Sequence, residues 1–154
     1  MLATSRPFVS RSAIPYAHWS MKVGRRAPAW GEIVDQIDDL DQGIANLIFT
    51  PKGSVPTEPE KGCDLLPWID RPPAVAVPRL TVEIWEGLAR WHPRITVREV
   101  SVAILGFAHY SVPVFWSPIA SVIEDIRRTE ITLTRDALLA VAGSAIVPAG
   151  SLSA

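Results

Sequence analysis

Proline is the residue that most constrains what this chain can fold into, because 14 prolines stand against 9 glycines in 154 residues. Pro51, Pro56 and Pro59 follow one another closely, and Gly62 closes the run. Proline fixes φ and lacks an amide donor, so this stretch cannot be a helix interior or a central strand. It predicts an ordered extended loop, or a short edge hairpin that turns at Lys52-Gly53.

Composition narrows the class of protein. Hydrophobic residues make up 48% and charged residues 20%, which is typical of one globular domain at this length. The formal net charge of −1 argues against a nucleic-acid partner. A single cysteine, Cys63, excludes a disulfide or a cysteine-based zinc site within the chain. No apolar run reaches the roughly 20 residues of a membrane span, so no membrane partner is expected.

The region from residue 31 to residue 48 is predicted to be the first helix. Its apolar residues recur at spacings of four and three, which places them on one face. Acidic residues crowd its first half, where the positive end of the helix dipole favours them. These residues are Glu32, Asp35, Asp38, Asp39 and Asp41. A calcium loop would need a different spacing, so we interpret them as a solvated acidic face, and Gly43 weakens the later turns.

A second helix is predicted from about Pro78 to Trp91, after a connector that begins at Pro72-Pro73. A proline suits the first helical turn, and Pro93 ends the helix. One apolar row is widened by a second, so we expect burial on most sides of this helix. The first row is Leu80, Ile84, Leu88 and Trp91, and the second is Val82, Trp85 and Ala89.

Three strands are predicted after the helices, over residues 95–105, 110–116 and 126–134. Pro113 confines the second of them to an edge or a bulge. The third alternates, with Thr129, Ile131 and Leu133 on one face and with Arg128, Glu130 and Thr132 on the other. The fold class is therefore α+β, with two main helices packed on a small, mainly antiparallel sheet.

Extended segments flank this domain, which spans residues 31–134. Residues 1–30 form a basic arm that contains no acidic residue, and either a solvated arm or a partner-docking arm fits its four aromatic residues. Residues 135–154 form a nearly uncharged tail that begins with a short helix capped by Thr134.

Residues for catalysis are sparse, so we expect no enzyme, no catalytic residue, no metal and no cofactor. The three histidines are scattered, and no serine lies in a nucleophile elbow. Lys52-Gly53-Ser54 lacks the glycines of a phosphate loop. The carboxylates of Glu58, Glu60, Asp64 and Asp70 could form a glycosidase pair only in the sense that any acidic chain could.

The middle of the chain carries a more specific pattern. Thr50-Pro51-Lys52-Gly53 is followed by Pro56, by Pro59 and by Gly62, then by Trp68-Ile69-Asp70-Arg71-Pro72 and, after a helix, by Trp91-His92-Pro93-Arg94-Ile95. In order and spacing this run resembles the family of contractile-tail phage baseplate wedge and sheath-initiator proteins. That family includes protein W of temperate phages, the small T-even wedge subunit and the TssE subunit of type VI secretion. The resemblance covers residues 31–134.

The family hallmark is a Glu-Pro-Arg corner after the second helix, and this chain has His92, Pro93 and Arg94 there. The proline and the arginine match, whereas the glutamate is replaced. The resemblance implies that these three residues bind the wedge core. A helix stop and a cap of the last carbonyls would explain Pro93 and Arg94 equally well.

The resemblance also implies a mechanism, in which sheath arms add as strands to an open sheet edge and so start the first sheath ring. The strand at 126–134 has no proline, so Thr129, Glu130, Ile131, Thr132 and Leu133 are the candidates for this contact. The implied partners are wedge core proteins and the sheath protein, with tail tube or hub proteins at the arm. The implied location is the virion baseplate, assembled in the host cytoplasm.

Two other classes of function stay open at this point. Members of the family have carried a lysozyme label, which suggests a peptidoglycan-cleaving enzyme. A regulatory binding module is the other, because an anti-adaptor of bacterial proteolysis shares the family fold.

Overall fold

The computed structural model describes residues 19–23, 33–119 and 126–145. Along the chain a short ribbon comes first, made of β1 (Trp19–Met21) and β2 (Ile33–Asp35), which pair in antiparallel fashion. Three helices follow: α1 (Gln36–Phe49), α2 (Leu66–Ile69) and α3 (Pro73–Trp91). The second half has β3 (Ile95–Val100), β4 (Ala103–Gly106), β5 (His109–Pro118), β6 (Arg127–Thr134) and α4 (Arg135–Ala145). The α+β fold class is thus confirmed.

The first helix is shorter than predicted because its opening residues form β2 instead. Gln42 of α1 holds the ribbon in place: its side-chain oxygen accepts from the Val23 amide at 2.8 Å, and its amide donates to the Ser20 hydroxyl and the Met21 carbonyl, both at 2.9 Å. Residues 19–23 of the predicted arm therefore pack on the domain, whereas the rest of residues 1–30 lies outside the described residues.

The second helix is longer than predicted, because Pro73 and not Pro78 occupies its first turn. The carbonyl of Pro72 accepts from the Val75 and Ala76 amides at 2.8 and 2.9 Å. Pro78 lies inside the helix, where it cannot donate to the carbonyl of Ala74. Both residues are exposed, so water can replace the missing donor.

The core forms where α1 and α3 lie against one face of the sheet. Ile44 of α1, Leu80 and Ile84 of α3, and Val112 and Trp116 of β5 are fully buried there. The second apolar row of α3 does not join this core, since Val82 is 48% exposed and Trp85 is 40% exposed. The expectation that α3 is buried on most sides is therefore wrong.

Strand β5 is the centre of the four-stranded sheet. On one side it pairs with β6, and on the other side it pairs first with β4 and then with β3, all in antiparallel fashion. The predicted strand at 95–105 is thus two strands with a break at residues 101–102. Of the two alternatives predicted for Pro113, the edge is wrong, because Pro113 lies within this central strand, opposite the break between its neighbouring strands.

Pro113 is tolerated there because its missing donor faces the break between β3 and β4. Its carbonyl accepts from the Ser101 amide at 3.1 Å. The N–H and C=O positions of one strand residue point to the same side, so the nitrogen of Pro113 also points toward residues 101–102. The ladder loses one bond at a place where it is already interrupted.

Helix α4 begins the predicted tail and bears out the predicted cap. The Ala137 amide donates to the Thr134 hydroxyl oxygen at 3.2 Å, which is the expected N-cap bond. Leu138 is buried against the core cluster. Residues 146–154 lie outside the described residues. No helix in the described ranges is long and apolar enough to cross a membrane.

Candidate functional site

Strand β6 presents an open edge eight residues long. It pairs with β5 from His109 opposite Thr134 to Trp116 opposite Arg127, without a register shift. Among residues 19–23, 33–119 and 126–145 no second strand pairs with it. The alternation predicted for this strand is confirmed, because Ile131 and Leu133 are buried whereas Arg128 and Thr132 are exposed.

The pairing shows which amides face outward. Pro113 directs its backbone groups toward β3, so its pair with Glu130 is a non-hydrogen-bonded one, and the backbone groups of Glu130 point away from β5. By alternation, Arg128 and Thr132 also direct their amides to the open edge. The amide of Ile131 instead belongs to the ladder with β5.

Side-chain contacts hold β6 in position on both of its faces. On the inner face the Trp116 indole donates to the Thr129 hydroxyl at 2.7 Å, and that hydroxyl donates to the Asp41 carboxylate of α1. On the outer face Glu130 accepts from the Ser111 hydroxyl at 2.8 Å and from Arg128 at 2.9 Å. The strand is therefore fixed before any partner arrives.

The opposite edge of the sheet is less regular. Strand β3 has a register shift between Val97 and Glu99, β4 has another between Ile104 and Gly106, and residues 101–102 separate the two strands. Bulges and breaks of this kind reduce the ability of an edge to accept a further strand. The β6 edge is the better template of the two.

The corner at residues 92–94 faces inward more than the resemblance implies. His92 is only 6% exposed, and its amide caps α3 by donating to the Leu88 carbonyl at 3.0 Å. Its ring lies on Gly43 of α1, where an added Cβ would come within 2.5 Å of the ring Nε2. Of the three, only Pro93 is exposed. Gly43 lowers the helix propensity of α1, but it is also the residue that leaves room for the His92 ring.

Arg94 forms an ion pair with α1, and this changes how the acidic cluster is interpreted. One guanidinium nitrogen lies 2.7 Å from the Asp39 carboxylate, whose side chain is 4% exposed. Asp41 meets Thr129, as described above. Two of the five acidic residues therefore bind other parts of the fold, so the solvated acidic face is wrong for Asp39 and Asp41. Sequence spacing gave no sign of these partners, which lie about 55 and 88 positions away.

The proline-rich segment is an ordered loop, as one of the two predicted alternatives stated. Its ends meet where the Cys63 amide donates to the Thr50 carbonyl at 2.9 Å, and Gly53 donates to Pro59 across it at 2.7 Å. Gly62 has φ +108, and a Cβ there would lie 2.0 Å from the Thr50 carbonyl oxygen. Only glycine fits at that position.

An ion pair anchors this loop to α3. The Lys52 ammonium lies 2.7 Å from Glu83, and that hydrogen bond raises the pKa of Lys52. Beneath the loop, burial raises the pKa of the Cys63 thiol to about 12, which keeps it protonated. The side chain of Lys52 thus makes a structural contact between the loop and α3.

Of the carboxylates considered for glycoside cleavage, two have basic partners and a third lies beside a groove. Glu58 pairs with Lys61 at 2.9 Å, Asp70 pairs with Arg135 at 3.4 Å, and Glu60 lines a groove beside α3. In the described part of the chain no group of three or more histidine, cysteine, aspartate or glutamate side chains could hold a metal ion.

Comparison with known proteins shows the fold. No family model matches the sequence, and no curated protein matches it significantly. Among solved structures, one from Geobacter sulfurreducens, described as a "putative tail lysozyme", is similar with a TM-score of 0.52 and 17% sequence identity. The similarity covers 62% of this chain and 89% of that chain. The two proteins therefore share a fold.

Proposed function

We propose that this protein is a structural component of a contractile phage tail or a similar injection machine, and that it joins the baseplate wedge to the tail sheath. The unbroken outer edge of β6 is the observation that carries this proposal. A sheath strand pairs with the outward amides of Arg128, Glu130 and Thr132, which is strand addition to a fixed edge. The fold shared with a protein described as belonging to a tail supports the same setting.

A wedge core protein is the second proposed partner, at the corner. His92 is buried, and Arg94 is ion-paired with Asp39 inside the same domain. A docking partner therefore contacts Pro93 and the exposed part of the Arg94 side chain. This part of the proposal rests on the family resemblance rather than on a free surface.

Proline scanning of β6 tests the sheath contact, because the structure separates the two amides involved. We expect Thr132→Pro to fold, to join the baseplate and to fail to start the sheath, since it removes one outward donor. Ile131→Pro removes a donor from the ladder with β5, and we expect it to lose about 1–3 kcal/mol of stability. Thermal unfolding of the purified variants and electron microscopy of complemented tails are the measurements.

The matched control is Thr132→Val, which keeps the amide and the β-branched shape. Tails that carry it should have normal sheaths. If Thr132→Pro folds normally and also gives normal sheaths, the β6 edge is not the site where the sheath begins.

An enzymatic function is the second candidate, and the name of the Geobacter sulfurreducens protein favours it. The ion pairs of Glu58 with Lys61 and of Asp70 with Arg135 favour a structural role for these two carboxylates. A peptidoglycan turbidity assay separates the two functions. Clearing that Glu60→Gln abolishes would establish the enzyme in place of the purely structural role.

A further inference from the structure

Helix α1 lies beside β6 on the inner face of the sheet, and the charge on its flank bears on which strand can pair with the β6 edge. The Asp41 carboxylate accepts a hydrogen bond from the Thr129 hydroxyl of β6. Asp38 lies three positions before Asp41, so the two side chains are on the same side of the helix. Asp38 is exposed and Asp41 is half-buried. This flank of α1 therefore carries two carboxylates next to the edge strand.

Neither of these two carboxylates is neutralised by a basic side chain in the part of the chain that the structure describes. The only contact of Asp41 there is with a neutral hydroxyl, and Arg127 at the start of β6 forms an ion pair with neither aspartate. The ion pairs are made by other acidic residues, which are Asp39, Glu58, Asp70, Glu83 and Glu130. The inner side of the β6 edge is thus left with negative charge.

The outer face of β6 differs, because its charges compensate one another. Arg128 and Glu130 form an ion pair at 2.9 Å, and Glu130 also accepts from the Ser111 hydroxyl at 2.8 Å. A charged residue on this face of an added strand would meet a pair that is already satisfied. Selection by charge therefore belongs to the inner face.

The two faces together predict the side chains of a strand that pairs with β6. Residues directly opposite one another on neighbouring strands have Cβ atoms about 4.5–5.5 Å apart. A lysine or arginine opposite Thr129 lies on the inner face and is long enough to reach the Asp41 carboxylate. Two positions along, a residue opposite Ile131 lies beside an apolar side chain that is only 5% exposed, so a β-branched apolar residue suits that position.

We propose that the strand accepted by the β6 edge carries a basic residue opposite Thr129, an apolar residue opposite Ile131 and neutral polar residues on its outer face. This inference rests on the strand addition proposed above and adds the chemistry that selects one strand over another. Outward backbone amides supply the pairing, whereas Asp38 and Asp41 supply the preference for positive charge.

A palindromic peptide tests this inference without fixing the direction of the added strand. The probe has the sequence TVTKTVT with blocked ends, and two comparison peptides have glutamine or glutamate in place of the lysine. Amide NMR signals of the isotope-labelled full chain, at Arg128, Glu130 and Thr132, report the binding. At low salt we expect the glutamine peptide to bind about threefold more weakly than the lysine peptide, and the glutamate peptide about tenfold more weakly.

Variants locate the preference. Asp38→Asn combined with Asp41→Asn removes both charges, and an asparagine at position 41 can still accept from the Thr129 hydroxyl. With this variant we expect the three peptides to bind within about twofold of one another. The matched control is Asp64→Asn combined with Glu86→Gln, which removes two charges from exposed positions away from β6 and should keep the full preference.

Hydrogen exchange of the free full chain shows whether the edge is vacant. The amides of Arg128, Glu130 and Thr132 should exchange faster than that of Ile131. Equal protection of all four would overturn the proposal, because another segment of the chain or a second copy would then occupy the edge. If the lysine and glutamate peptides bind equally at the outward amides, the charge preference is wrong while strand addition stands. If no peptide shifts these amides, strand addition and its preference both fail.

Discussion

The region that carries the sequence motif and the β6 edge differ in the direction that their polar groups face. In the loop-and-corner region, residues 50–65 and 92–94, charged and backbone groups meet other parts of the same chain, as Arg94 meets Asp39 and Lys52 meets Glu83. At the β6 edge, residues 127–134, every second amide faces away from the chain's own sheet. In the first region the fold itself supplies the partners of the polar groups, and we call this region closed. At the β6 edge the outward backbone amides have no strand partner among the described residues, and we call this edge open.

This difference separates two meanings of a sequence motif. The pattern from Thr50 to Arg94 contains the residues that shape the loop and its contacts, and Gly62 has no room for a side chain. Strand β6 lies in a stretch that has no such motif, yet its outer edge is left unpaired among the described residues. A motif can therefore report what a fold requires, while an unpaired edge follows from topology.

Replacing Arg94 tests whether the corner is truly closed. Arg94→Ala takes a 2.7 Å partner from the buried Asp39 carboxylate, so we expect a loss of about 1–3 kcal/mol in the free energy of unfolding. Urea denaturation measures it.

The matched control lies at the other region. Arg128 and Glu130 form an ion pair in which both side chains are 54% exposed, and such pairs contribute about 0–1 kcal/mol. If Arg94→Ala costs no more than Arg128→Ala, the corner is as open as the edge and the comparison fails.

Alkaline pH should weaken the closed region through Cys63. Its pKa is raised from 9.0 to about 12, mainly by burial, so the thiol stays protonated in the folded state after it ionises in the unfolded chain. The stabilisation is complete below pH 9 and is lost progressively up to about pH 12, with a slope of up to about 1.4 kcal/mol per pH unit.

Comparison with Cys63→Ala isolates this effect from the other groups that ionise at high pH. The stability difference between wild type and the variant should shrink as the pH rises from 9 to 11. A difference that stays constant would mean that solvent reaches the thiol in the folded protein.

Gly43→Ala should give a small net change in the free energy of unfolding, and the sign of that change should reverse when His92 is removed. Gly43→Ala gains about 1 kcal/mol in helix propensity, but its Cβ would lie 2.5 Å from the ring, so we expect a net loss of about 1 kcal/mol. In a His92→Ala background the same change should stabilise the protein. A double-mutant cycle by thermal unfolding measures both steps, and additivity would show that the two residues do not touch.

Local patterns sufficed to predict several elements from the sequence. The alternation of β6 and the cap at Thr134 depend only on residues close together in the sequence. The ordered loop follows from prolines, which restrict the backbone. The α+β class followed from these elements together.

What could not be predicted depends on partners far along the chain. Pro113 indicates an edge unless one knows that β3 breaks opposite it, and Pro78 indicates a helix start unless Pro73 already supplies one. From the sequence alone Asp39 and Asp41 are predicted to be solvated, whereas in the fold Arg94 contacts Asp39 and Thr129 contacts Asp41. The exposure of Val82 and Trp85 likewise depends on which face of α3 the core occupies.

The position of Pro113 bears on what copies of this protein can do to one another. A sheet with two regular edges can stack head to tail, one copy's edge on the next copy's opposite edge, and such a contact repeats without limit into a fibre. Here the missing donor of Pro113 coincides with the gap at residues 101–102, so the opposite edge offers no continuous ladder. Among the described residues the sheet therefore has one regular edge, and head-to-tail stacking of copies through two regular edges has no second edge to use.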